Sequence, residues 1–177
     1  MSRVLVIGDL HAPAVLDDLE VPVAFVSSMP EIATHLQNTV GPDFVLSPDK
    51  GAIERASHVA NAIGCNFSYL EKIRIDAHTI EHKAKDLEVD GAIVAIVDDM
   101  ISTGGTICKA SDALRRQGAK AVHAACTHGL FTGGAITRLA NHVDGVHATD
   151  SLPNPRSVVS GAPAIARGVQ DLIQQVL

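Results

Sequence analysis

The chain has 177 residues, 46% apolar and 19% charged, with a formal net charge of −6. That is the size of one ordinary domain with enough apolar material for a real core, which excludes a disordered chain. The acidic balance, with a pI near 5.8, argues against a general nucleic-acid binder, which needs a basic face to release counterions.

Aromatic residues make up 3% of the chain and tryptophan is absent, so base-stacking platforms are not expected. The apolar runs fall well short of the ~20 residues that cross a bilayer, and no membrane partner is expected. Three cysteines, Cys65, Cys108 and Cys126, stand far apart with no CxxC; they read as small buried core residues. The N-terminus lacks a secretory pattern, and a reducing cytoplasm is the expected location.

In chain order, residues 3–7 (RVLVI) and 21–26 are candidate strands, and residues 30–39 a helix with Ile32, Ala33, Leu36 and Val40 on one face. A short strand follows at 44–46, then a helix over 50–63 stopped by Gly64, then a strand over 66–70. Residues 71–90 are rich in Lys, Arg, His, Asp and Glu and read as an exposed hairpin or mobile loop. The rhythm resumes with a buried strand at 92–97 (AIVAIV), a helix at 104–117, a strand at 121–126, a helix at 134–141, a strand at 145–149 and a closing helix at 162–176. Near-continuous apolar strands alternating with helices predict one three-layer α/β/α domain over residues 1–177 with a mostly parallel sheet. Ligands should then gather at the C-terminal ends of the strands.

The strongest chemical signal is the segment Val97-Asp98-Asp99-Met100-Ile101-Ser102-Thr103-Gly104-Gly105-Thr106. A buried strand ends in two carboxylates and passes through glycines straight into a helix. Gly104 and Gly105 let the backbone approach an anion. The helix N-terminus aims N–H groups and its positive dipole end at that anion. Ser102, Thr103 and Thr106 add hydroxyl donors, while Asp98 and Asp99 suit sugar hydroxyls. A phosphate cradle beside an acid pair describes a phosphorylated sugar. It is not a Walker loop, because GxxxxGK[ST] is absent. Nor do the nine histidines form a zinc pattern.

Five further segments carry chemistry. Asp9-Leu10-His11-Ala12-Pro13-Ala14 places a histidine after a strand and an acid. Ser47-Pro48-Asp49-Lys50-Gly51 places an acid at a strand-to-helix turn. Lys72 and Arg74 flank Ile73, so on an extended strand both cations share a face. Cys126-Thr127-His128-Gly129-Leu130 and Thr149-Asp150-Ser151-Leu152-Pro153 close the set. Other cations, Arg115, Arg116 and Lys120, read as helix-end surface residues.

The acid-pair loop resembles the phosphoribosyl-diphosphate motif of type I phosphoribosyltransferases and of ribose-phosphate diphosphokinases. The other segments resemble the diphosphokinases in their order, and Ser102, where many members carry a third acid, looks like the archaeal-type branch. The resemblance implies a type I phosphoribosyltransferase-like fold and diphosphoryl transfer from Mg-ATP to the anomeric hydroxyl of ribose 5-phosphate. It assigns His11 and Asp49 to magnesium and nucleotide, and Lys72 and Arg74 to the transferring group. Asp98 and Asp99 fall on the ribose hydroxyls, and Ser102, Thr103, Gly104, Gly105 and Thr106 on the 5-phosphate. It also implies a homo-oligomer. The resemblance covers only about half of the family's length, and its adenine-binding segments are not matched here. Two other readings stay open: a type I phosphoribosyltransferase consuming the activated sugar, and a non-catalytic or truncated sugar-phosphate-binding half that needs a partner.

Overall fold

Strands too apolar to face water on either side demand cover on both faces, and the chain supplies it by winding helices to alternate sides of a sheet. The computed structural model describes residues 4–12, 20–74, 80–84 and 88–176. In order, the elements are β1 (Leu5–Gly8), β2 (Val23–Val26), α1 (Met29–Thr39), β3 (Phe44–Ser47), a 3₁₀ turn (Lys50–Ala52), α2 (Ile53–Ile63), β4 (Asn66–Arg74) and β5 (Ile80–Ala84). These are followed by β6 (Ile93–Ile101), α3 (Gly105–Arg116), β7 (Ala121–Gly129), α4 (Ala135–Ala140), β8 (Gly145–Thr149), β9 (Ser157–Val159) and α5 (Ala162–Val176).

The main sheet runs β5-β4-β3-β6-β7-β8-β9, and β1 pairs with β2 in a separate two-stranded sheet. Every pairing is parallel except β4 with β5. From β3 the chain goes outward to β4; from β6 it goes the other way to β7. The crevice at the C-terminal ends of β3 and β6 is therefore the topological switch point, where ligands of open α/β sheets sit.

Side chains alternate across each strand. On one face of β6, Val94 and Ile96 pack with Ile107 and Leu114 of α3 and Leu139 of α4. On the other, Ala95 and Val97 pack with Ile32 and Leu36 of α1 and Ala56, Val59 and Ala60 of α2. Leu36, Ile96 and Leu114 are fully buried; truncating any of them to alanine costs about 2–5 kcal/mol. Helix α5 covers one face of the β1–β2 pair through Ala164 and Leu172, leaving Ile165, Val169 and Ile173 exposed on its outer side.

Several boundaries differ from the sequence reading. Strand β6 does not end at Val97; it continues through both carboxylates to Ile101, because Asp98, Met100 and Ile101 stay in register with Cys126, His128 and Gly129 of β7. The backbone ladder overrides the polarity of two side chains, so the turn into α3 shrinks to Ser102-Thr103-Gly104. Strand β4 likewise extends to Arg74, because β5 pairs with it in the hairpin expected between residues 71 and 90; residues 75–79 and 85–87 lie outside the described residues, as do Pro13 and Ala14. The helix expected from Lys50 begins as the 3₁₀ turn and becomes α-helical at Ile53. The three-residue strand β9 was too short to show in the sequence pattern. Cys108 and Cys126 are buried, but Cys65 is only half-buried; all three are free thiols.

A second departure is a row of histidines at the start of β7 and β8. His35 Nε2 lies 2.9 Å from His147 Nδ1, and His147 Nε2 lies 3.1 Å from His123 Nδ1. The row needs a glycine beside it: a Cβ on Gly145 would sit 2.6 Å from His123 Nδ1 and 2.9 Å from His147 Nε2. Burial lowers the pKa of all three, and with the fields of His35, His123 and Arg156 it brings His147 down to about 4. A histidine held neutral in the fold but free to protonate when unfolded, near pH 6.5, stabilises fully above that pH. The stability is lost as pH falls from 6.5 toward 4, where the unfolded chain binds the extra proton. Between pH 7.5 and pH 5, urea unfolding should therefore show the wild type losing more than His147→Gln, by about 1 kcal/mol once solvent screening of this half-buried ring is allowed for. Equal losses would remove His147 as the cause.

Candidate active site

Three chain segments meet at the switch point, and a buried carboxylate starts the arrangement. Asp9 follows β1 with a left-handed backbone (φ 41°), rare for a residue with a side chain. Its carboxyl is buried and accepts from Ser27 Oγ (2.6 Å), the Ser28 N–H (2.8 Å) and Thr127 Oγ1 (2.7 Å). One side chain thus ties the end of β1 to the β2–α1 turn and to β7. The left-handed turn sends the next residues across the top of the main sheet. His11, largely exposed, reaches Asp99 Oδ2 with Nδ1 at 2.9 Å.

Consecutive residues of β6 point to opposite faces, so Asp98 and Asp99 sit in different surroundings. Asp99 is buried on the α1–α2 side, where Oδ2 meets both His11 and Arg55 Nη2, the latter at 3.1 Å. Burial pushes its carboxyl up, but the hydrogen bonds with His11 and Asp98 and the charges of Arg55 and His11 outweigh it and hold the pKa below the usual range. Asp98 goes the other way: burial, the hydrogen bond with Asp99 and the negative charges of Asp99 and Asp49 push it up to about 7, against the pull of the Asp99 N–H. The pair therefore carries less than its full double negative charge at neutral pH.

The Ser102-Thr103-Gly104 turn follows. Gly104 is left-handed (φ 73°), and a Cβ there would lie 3.0 Å from Leu139 Cγ; glycine serves both the turn and the close contact. No side chain caps the N-terminus of α3, so its first N–H groups face outward at Gly105 and Thr106. The turn is braced from behind. Arg138 Nη1 donates to the Thr103 carbonyl at 2.5 Å and Nη2 to that of Gly133 at 3.1 Å. Ser102 accepts from the Thr132 N–H on its carbonyl (3.1 Å) and meets Thr132 Oγ1 through its hydroxyl (3.0 Å).

On the other side of the acids, a cleft of about 560 Å³ is lined by His11, Asp49, Lys50, Gly51 and Leu70. Asp49 caps the 3₁₀ turn by accepting from the Gly51 N–H at 2.8 Å, and it also lines the cleft. Lys72 and Arg74 occupy alternate positions of β4, with backbones opposite His82 and Ile80 of β5; their side chains lie outside the described residues. The later motif segments serve as bracing. His128 Nε2 reaches the Gly8 and Asp9 carbonyls at 3.2 and 3.3 Å, and its Nδ1 meets Ser151 Oγ at 3.0 Å. Thr149 and Ser151 hydroxyls both donate to the Thr127 carbonyl. Cys126 is fully buried and its thiol is pushed up to about 12 by burial, so it stays protonated and serves packing. Arg115 pairs with Asp144 and donates to the Lys120 carbonyl at the surface, as a helix-end cation should. Among the described residues, no three His, Cys, Asp or Glu side chains converge as a metal cage.

Sequence reasoning missed Arg55, Arg138 and Thr132. A cation on a helix face looks like a solvated surface charge until the fold shows the carbonyls it meets. Only Asp9 had a signal, as the acid that opens the His11 segment.

The fold and the braced turn define a class. The phosphoribosyl transferase domain family model matches residues 24–146, more than half of the chain, and the chain belongs to that family. Adenine phosphoribosyltransferase from Saccharomyces cerevisiae shares the fold, with a TM-score of 0.55 over 68% of this chain and 75% of that one at 20% identity. Within the family, the chain is similar to ribose-phosphate pyrophosphokinases. It is 44% identical over 171 residues to the one from Methanopyrus kandleri, covering 95% of this chain and 59% of the relative. The crystal structure of phosphoribosylpyrophosphate synthetase from Mycobacterium smegmatis superposes with a TM-score of 0.79 at 28% identity, over 98% of this chain and 60% of that one. The chain thus spans about three-fifths of the length of these relatives.

Asp9→Ala should destabilise the protein by about 3 kcal/mol, because three donors lose their buried acceptor. Urea unfolding measures it, and a change under 1 kcal/mol would show that the seam between the two sheets does not depend on this carboxyl.

Proposed function

We propose that the chain binds ribose 5-phosphate and takes part in diphosphoryl transfer from Mg-ATP to its anomeric hydroxyl, giving phosphoribosyl diphosphate and AMP. The observation that carries this is the placement of the uncapped α3 N-terminus, the acid pair and the His11–Asp49 cleft side by side at one switch point. The 5-phosphate accepts from the N–H groups at Gly105 and Thr106 and from the hydroxyls of Ser102, Thr103 and Thr106. The ribose hydroxyls hydrogen-bond to Asp98 and Asp99. Asp98, titrating near neutrality, can donate as well as accept, which limits repulsion between the acid pair and the dianionic ligand.

The His11–Asp49 cleft takes the nucleotide. Asp49 supplies one carboxylate, while His11 already gives its Nδ1 to Asp99. Such a sparse protein donor set fits magnesium, which keeps several waters and binds through phosphate oxygens. When bound, the ion neutralises phosphate charge and orients the diphosphoryl group. Lys72 and Arg74, carried on the hairpin beyond Leu70, stabilise charge on the transferring group as the reactants align in line. Positioning and electrostatics supply most of the acceleration. Self-association belongs to the same reading, with the exposed Ile165, Val169 and Ile173 face of α5 as one available surface. The chain carries this activity together with whatever the remaining length of its relatives contributes.

Phosphorus NMR of the pure chain with ribose 5-phosphate and Mg-ATP should show AMP and the activated sugar appearing together. Consumption of activated sugar with a nucleobase, without that synthesis, would favour a phosphoribosyltransferase. Intact ribose 5-phosphate binding with no turnover would reduce the chain to the binding half. For the cradle, Gly105→Asp should abolish measurable ribose 5-phosphate binding in calorimetry by placing a like charge against the phosphate; unchanged affinity would refute it.

A further inference from the structure

We infer that Arg55 is a positioning residue that holds the nucleotide side and the sugar side of the site in register; this rests on the functional reading above. Arg55 lies in the first turn of α2, outside every motif segment, and its side chain is 20% exposed. Its guanidinium touches three of those segments at once. Nη1 donates to the Gly51 carbonyl at 3.3 Å, within the turn that carries Asp49. Nη2 donates to the Leu10 carbonyl at 3.3 Å, one residue before His11. The same nitrogen pairs with Asp99 Oδ2 at 3.1 Å, beside the His11 contact.

Two of these segments line the nucleotide cleft and the third carries the sugar acids. They come from β1, β3 and β6, and one guanidinium meets all three. Each link alone is weak, since two are long neutral-acceptor bonds. Their value lies in geometry. A planar fork with fixed N–H directions meets two carbonyls and a carboxylate in one arrangement. Lysine would keep the charge beside Asp99, but its single ammonium cannot reach Leu10, Gly51 and Asp99 together. The phosphate cradle is braced separately, by Arg138 and Thr132, so losing Arg55 should leave sugar-phosphate binding in place while uncoupling it from the nucleotide.

Calorimetry on the full chain tests this with ribose 5-phosphate, with and without Mg-ADP, for the wild type, Arg55→Lys and Arg55→Ala. In the wild type, Mg-ADP should tighten ribose 5-phosphate binding roughly tenfold, a typical coupling between linked sites. In both variants that gain should fall within about twofold, with ribose 5-phosphate affinity in the absence of nucleotide nearly unchanged. Turnover, where present, should drop in kcat more than KM rises. Retained tenfold coupling in Arg55→Lys and Arg55→Ala would overturn the proposal. So would an equal weakening of ribose 5-phosphate binding with and without nucleotide, the mark of a merely structural role.

A wild type that binds neither ligand would refute the functional reading. The clamp itself is then decided by amide hydrogen exchange without ligand. Exchange at Leu10, His11 and Gly51 should quicken together in Arg55→Ala, with Gly105 and Thr106 unchanged. Unaltered exchange at Leu10, His11 and Gly51 would overturn the clamp independently of any activity.

Discussion

The site depends first on the burial of one carboxyl, that of Asp9. An acid removed from water must be fully hydrogen-bonded, and Asp9 meets that demand with three donors from two separate places: Ser27 and Ser28 of the β2–α1 turn, and Thr127 of β7. Satisfying it fixes the end of β1 against β7 and against the start of α1. The left-handed backbone at Asp9 is tolerated because these bonds over-determine it. From there the chain can run only across the C-terminal edge of the main sheet, which delivers His11 to Asp99. His128 secures the same corner from the other side by meeting the Gly8 and Asp9 carbonyls. Polar groups remote in sequence thus place one another, while the apolar layers beneath supply a rigid sheet to place them on.

The acid pair then shows what a parallel strand does with two adjacent carboxylates. Alternation sends Asp99 toward Arg55 and His11 and Asp98 toward the α3 side, so one is held ionised and the other driven toward protonation. Environments that push two titratable groups apart assign them different roles. Beside the proposed phosphate cradle this division would have a physical benefit. A full double charge would oppose a dianion placed there, whereas a partly protonated pair still offers acceptors to hydroxyls and repels the anion less.

The layering, the parallel sheet and most elements were legible in the sequence, because they follow from apolar periodicity. The failures share a cause. Residues 98–101 were left out of the strand because two carboxylates interrupt its apolar run, and residues 71–74 were left open between a hairpin and a mobile loop because most are charged, yet strand membership is decided by backbone pairing with β7 and β5. Within the site, the residues proposed to face ligand could be named because loops that bind anions and sugars need particular residue types. The supports could not: Arg55, Arg138 and Thr132 act on backbone carbonyls, and a carbonyl partner leaves no trace in sequence. The row of His35, His147 and His123 was invisible for a related reason. It joins residues from a helix and two strands that only the packing of α1 onto β7 and β8 brings together.

The supports also divide the site into two mechanical units. The phosphate turn hangs on α4 and the β7–α4 connection, through Arg138, Thr132 and the N–H groups of Leu130 and Phe131 on the Ile101 carbonyl. The His11–Asp49 cleft hangs on α2 and β1, through Arg55 and Asp9. The two units share one covalent junction, the Asp98–Asp99 peptide, whose N–H is itself held by the Asp98 carboxyl at 2.9 Å. A sugar phosphate resting on one unit and a nucleotide resting on the other would be aligned by that junction and by the contacts of Asp99. Relative orientation dominates the barrier when two anionic reactants must meet in line. In the proposed reaction that alignment would rest on the C-terminal part of β6, which the pairing with β7 holds in place.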